Sequence, residues 1–185
     1  ASRLGHGDVA ARATRCPAAG GKVIARPMRV GGQGSMAVFQ DPAGADIGAW
    51  QPDAMGGFVT GVPGSYAWAE LNSRGLDRAV PFYAAAFGWA TRTSPMGEGQ
   101  PLYTEFLLEG HGVAGGMEMS PMVPAAVPSY WMVYFAVDDV DGAFKKALAA
   151  GAKVMVAVQD FPGGRFAIVQ DPQGAVFALH NRPAR

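Results

Sequence analysis

One cysteine, three histidines and no block of like charge limit what this 185-residue chain can be. Cys16 alone cannot close an intrachain disulfide, so no disulfide framework organises the fold. Fifteen Lys and Arg balance fifteen Asp and Glu, and no basic stretch forms a stripe. Nucleic acid is therefore not expected as a partner, because binding to phosphates needs clustered positive charge. No apolar run reaches the roughly 18 residues of a spanning helix, so no membrane partner is expected either. The opening ASRLGHGD carries no apolar signal region. A cytoplasmic protein of a reducing compartment is the expectation.

Glycine and proline, by contrast, are plentiful: 26 and 14 residues, which predicts many turns and short strands. The chain also repeats itself. Asp8, Val9, Gly20, Lys22 and Val23 recur as Asp139, Val140, Gly151, Lys153 and Val154 at an offset of 131. After a one-residue slip, Asp41, Pro42, Gly44 and Ala45 recur as Asp171, Pro172, Gly174 and Ala175. Such internal similarity marks copies of one supersecondary unit.

Each copy opens with a helical pattern. Asp8 is placed to cap a helix ended by Gly20, and Asp139 or Asp141 one ended by Gly151. Strands are predicted at 22–27, 35–40 and 45–50, then at 153–158, 164–170 and 175–180. An Asp-Pro-X-Gly turn joins the last pair of each set. The aromatic and β-branched run Tyr130–Val137 predicts a buried strand before the second copy, completing a β-α-β-β-β unit. Between the copies the same order returns with different residues: a strand at Tyr66–Asn72, a helix at Leu76–Phe87, then strands near 89–94, 102–109 and 113–119. The fold class is α+β, with tandem β-α-β-β-β units forming mixed sheets.

The segments WAELNSRGLDRAVPFYAAAFGW and GRFAIVQDPQGAVFAL resemble the glyoxalase/bleomycin-resistance/dioxygenase (vicinal oxygen chelate) superfamily. Within it they most resemble the two-domain actinobacterial branch, often labelled hydroxylase or glyoxalase-like. The resemblance implies U-shaped sheets and two domains. Residues 62–185 would form one complete domain, 53–61 a linker, and 1–52 the back part of a first domain whose front half is absent. A lone half leaves an open sheet edge, so a homodimer is expected.

Metal-dependent members of this family take one ligand from the first strand and one from the last strand of each unit. By that resemblance the positions fall on Trp68, Glu118, Met132 and Ala178. One donor in four cannot hold a catalytic metal, so neither metal nor other cofactor is expected. Strand parity instead lines a cavity with Tyr66, Trp68 and Glu70, with Tyr130, Met132 and Tyr134, and with Ala178 and His180. Glu70 and His180 are the candidate acid–base residues. Glu70 reads as a general base, a cation anchor or a hydrogen-bonded structural carboxylate. His180 reads as a displaced ligand, a proton shuttle or a rim residue standing where Trp50 stands in the other copy. His6 and His111 are expected in exposed loops.

The expected function is metal-independent binding of an aromatic or amphipathic small molecule, which the protein either sequesters or transforms. A metal-dependent lyase or dioxygenase completed by an absent N-terminal half is one alternative; a regulatory interaction protein is another.

Overall fold

The computed structural model describes residues 8–55, 58–97, 101–161 and 163–181. His6 and the expected linker residues Gly56 and Gly57 lie outside them. Three helices and eleven strands form among the described residues, in the order the repeat predicts. Helix α1 spans Val9–Ala18, and strands β1 (Lys22–Val30), β2 (Gly34–Gln40) and β3 (Asp46–Pro52) follow. Next come β4 (Tyr66–Ser73), α2 (Leu76–Phe87), β5 (Ala90–Pro95), β6 (Leu102–Leu108) and β7 (His111–Glu118). The chain closes with β8 (Tyr130–Ala136), α3 (Val140–Ala149), β9 (Lys153–Phe161), β10 (Gly164–Gln170) and β11 (Val176–His180).

The capping expectation holds at one helix and fails at the other. Asp8 accepts hydrogen bonds from the Ala10 and Ala11 amides at 2.8 and 3.2 Å, filling donors that the first turn leaves unpaired. Asp139 stands at the N-cap of α3 but makes no side-chain cap bond; its carboxylate lies over Gly142. Asp141 instead accepts from Arg165 at 3.2 Å. Gly20 and Gly151 end α1 and α3 at φ of 84° and 91°, where a Cβ would be strained.

Two compact units result, and their division differs from that of the sequence repeats. One comprises residues 58–69 with 132–181, the other 8–55 with 70–131, so the division falls within β4 and β8. In the first unit β8 pairs with β11 in parallel, and β11 with β10 and β10 with β9 antiparallel. Helix α3 covers one face, where Val140, Ala167 and Leu179 are buried with Phe144 and Phe177 packed against them. In the second unit β1-β2-β3 forms an antiparallel sheet, and β5-β6-β7-β4 ends in a parallel pair. Its core is aromatic: Tyr83 stacks on Trp89 at 5.4 Å and meets Phe106 and Trp131 edge-on at 5.2 and 5.5 Å.

Candidate functional site

The first unit presents an aromatic face on the side of its sheet away from α3. Tyr134 stands opposite Ala178, and Ala178 opposite Ile168, so these residues share a face with Met132, Phe166 and His180. Their neighbours of opposite parity, Phe177 and Leu179, pack with α3. His180 is only 4% exposed. Its ring lies 6.0 Å from Tyr134, edge-on, and 5.3 Å from Phe161. Phe161 in turn meets Phe166 edge-on at 5.7 Å. On the front of β4, Tyr66 and Trp68 are half-buried. Phe58 stands edge-on to Tyr66 at 5.5 Å, and burial pushes the Tyr66 phenol well above its ordinary range.

The second unit carries the carboxylates. Glu70 and Asn72 share a face of β4 opposite Gly115 and Met117 of β7. Asn72 donates to Glu70 Oε1 at 3.4 Å. Desolvation and then the Glu70 charge raise the Tyr130 phenol. On β6, Glu105 stands opposite Gly115, and its carboxylate pairs with Arg92 and lies over Gly112. The Tyr103 ring lies over Gly115, its hydroxyl where a Cβ would be. These two glycines leave the strand surface open to a phenol and a carboxylate. Two carboxylates, Glu70 and Glu105, and two phenols, Tyr103 and Tyr130, thus belong to this unit.

Glu118 ends β7 and reaches the start of a helix. It stands opposite Ser73, whose parity on β4 is that of buried Leu71 rather than of Glu70. Its carboxylate accepts from the Gly75 and Leu76 amides at 2.9 and 2.8 Å, at the start of α2. An acidic side chain there satisfies two orphan amides and complements the helix dipole. His111, expected in a loop, is the exposed first residue of β7. Cys16 is buried, and that burial pushes its thiol up, away from nucleophilic character.

The profile of the Glyoxalase/Bleomycin resistance protein/Dioxygenase superfamily matches residues 65–179. The chain belongs to this superfamily. It is 41% identical to the anthracycline biosynthesis protein DnrV of Streptomyces peucetius, over 93% of this chain and 62% of that protein. It is 37% identical to "Putative glyoxylase CFP32" of Mycobacterium tuberculosis, over 93% of this chain and 65% of that protein. The chain therefore spans less than two thirds of the length of these curated relatives. The Mn(II)-bound glyoxalase of Novosphingobium aromaticivorans shares the fold, with a TM-score of 0.63 at 19% identity over 94% of this chain and 58% of that one.

Metal ligation in this superfamily provides a test of the residues present. Trp68, Met132 and Ala178 offer no nitrogen or oxygen donor suited to Mn, Zn or Fe(II), and Glu118 is engaged by two backbone amides. Among the described residues no three His, Cys, Asp or Glu side chains group as a metal site. Of the four positions to which the resemblance assigns ligands, one, Glu118, carries a donor side chain.

Phe161, Phe166, Tyr103 and Glu105 were not among the positions that strand parity singled out. For the last two a signal existed: glycines at 112, 115 and 116 inside one strand mark a surface that other side chains approach closely.

Proposed function

We propose that the protein binds a planar, amphipathic aromatic molecule without a metal, and either sequesters it or transforms it by acid–base chemistry. The observation that carries this reading is the face of Tyr134, Phe161, Phe166 and buried His180 in the first unit. Such a wall stabilises a flat ligand by stacking and edge contacts, while imidazole and phenol tips supply hydrogen bonds. Within the first unit Tyr66, Trp68, Met132 and Ala178 extend the proposed ligand surface, with His180 as its proposed acid–base residue; in the second unit, taken by itself, the proposed acid–base residue is Glu70, whose charge acts on Tyr130. The relative DnrV is an anthracycline biosynthesis protein, and an aromatic ligand here is in keeping with that.

Thermal-shift screening of hydroxylated and quinonoid aromatics tests the reading. Trp68→Ala should weaken any hit by roughly five- to tenfold, since an aromatic contact is worth about 1 kcal/mol beyond area burial. Glu70→Gln separates the two modes: lost turnover with retained affinity indicates catalysis, and a change in affinity alone indicates sequestration. Incubation with Mn, Zn, Ni and Fe(II) followed by elemental analysis should find well under one metal per chain. Stoichiometric metal accompanied by lyase or ring-cleavage activity would replace this proposal with the metal-enzyme reading.

The same proposal keeps residues 62–185 as the ligand-binding domain and a homodimer as the assembly. Ile24 and Met28 stand 54% and 49% exposed on edge strand β1, and an apolar edge favours pairing. Light scattering that returns a monomer at all concentrations would remove the dimer. No helix among the described residues is long and apolar enough to cross a membrane; cytoplasmic location is part of the proposal.

A further inference from the structure

The two copies of the repeat fold alike but are covered differently. In each, the turn Asp accepts at its backbone carbonyl from the turn Gly amide at 3.0 Å and donates its own amide to the following Ala carbonyl at 2.9 Å. In each, its Oδ1 accepts from two further amides at 2.8 to 3.0 Å. The buried residues between helix and sheet also match: Val9 and Val140 on the helices, and Ala37 and Ala167, Phe39 and Val169 on the strands, are all at most 2% exposed. The difference lies on the outer side. Asp41 and Ala45 are 3% and 0% exposed, whereas Pro172–Ala175 of the second turn are exposed. Helix α1 buries Arg12 and Cys16 besides Val9, while α3 buries Val140 alone.

Helix α2 accounts for that difference, because it covers the first copy within its own unit. Tyr83 of α2 donates to Asp41 Oδ2 at 3.0 Å. Arg15 Nη2 donates to the Ala86 carbonyl in the last turn of α2 at 3.1 Å, and the Arg12 guanidinium lies 4.7 Å from the centre of the Phe87 ring. The second copy retains both charged grips. Asp171 stands where Asp41 does, and exposed Lys146 stands where Arg15 does. At the position of Arg12 it has Ala143, which leaves room for a larger side chain from a partner.

We propose that the outer face of α3 and the turn 171–175 form a docking site for a second helix of the α2 type. The occupant is an amphipathic helix that ends at Lys146 and sets a tyrosine hydroxyl, one turn earlier, against Asp171. A cation facing the partially negative end of a helix and a carboxylate facing a phenol are the two polar contacts it makes. The relatives at 41% and 37% identity contain polypeptide beyond the stretch this chain matches, so such a helix has a source in longer chains. The inference is independent of the ligand-binding proposal.

The probe is a labelled peptide with the sequence of residues 74–90, stapled between positions 81 and 85, which are exposed on α2. It is added to the whole 185-residue protein, and binding is followed by anisotropy and by amide hydrogen exchange. The expected result is new protection confined to residues 143–147 and 171–175. Asp171→Asn or Lys146→Glu should weaken binding roughly three- to tenfold, as the loss of one net hydrogen bond implies, with the melting temperature of the free protein unchanged. Changing the peptide tyrosine to phenylalanine should have the same effect in wild type and none in Asp171→Asn. Absent binding, or protection that maps elsewhere, would overturn the proposal. So would protection of these residues that rises with protein concentration and needs no peptide, since the occupant would then be a second copy.

Discussion

Tyr83 donates its hydroxyl proton to Asp41 Oδ2 at 3.0 Å, joining helix α2 to the turn of the first repeat copy. Trp131 Nε1 completes the lock by donating to Tyr83 Oη at 2.9 Å. All of this is buried or nearly so, where an unmatched polar atom costs more than a matched pair contributes. Tyr83→Phe should therefore destabilise the fold by about 1–3 kcal/mol. Asp41→Ala should cost more, because the amides of Ala43 and Ala45 lose their acceptor as well. Urea unfolding reads both as lower midpoints at an unchanged slope. Wild-type stability in Tyr83→Phe would show that the lock contributes nothing.

Alkaline titration should be late and coupled to folding. Burial raises the phenols of Tyr66, Tyr83 and Tyr130 above their ordinary value, with the Asp41 charge adding at Tyr83 and the Glu70 charge at Tyr130. A raised folded-state value means that the stability these groups contribute is complete below about pH 10, the unfolded value, and is lost as pH climbs from there through the folded values. Tyrosinate absorbance should therefore lag in the native protein and appear together with unfolding. Glu70→Gln should advance the Tyr130 transition selectively, and no shift would mean that Glu70 exerts no field on it.

Element order and type were legible because Asp-Pro-X-Gly turns and helix-ending glycines carry local conformational information. Packing between distant segments was not legible in this way. Nothing local indicates that Asp41 accepts from Tyr83, or that residues 8–55 pack with 70–131. Nor does anything local show that Glu118 accepts from the Gly75 and Leu76 amides at the start of α2.

Glu118→Ala should weaken α2 without touching ligand binding. Its carboxylate holds the Gly75 and Leu76 amides, and Gly75 offers no side chain to replace it. Loss of an N-terminal cap costs about 1 kcal/mol. Hydrogen exchange should quicken in the first turn of α2, and Glu118→Gln should recover part of the loss through its remaining acceptor. A change in ligand affinity with α2 exchange unaltered would return Glu118 to the binding surface.

Gly115→Ala tests how closely Tyr103 approaches β7. A Cβ at this position meets the Tyr103 hydroxyl and ring directly, whereas the neighbouring Gly116 has its nearest atom, on Phe106, at 3.0 Å. Gly115 is buried, and overpacking such a site costs about 1–3 kcal/mol. In a Tyr103→Ala background the added methyl group has nothing to displace, so the same substitution should become nearly neutral. The double-mutant cycle then returns a coupling of about 1 kcal/mol or more, as expected for residues in direct contact. Additive effects would mean that Tyr103 does not lie over the glycine.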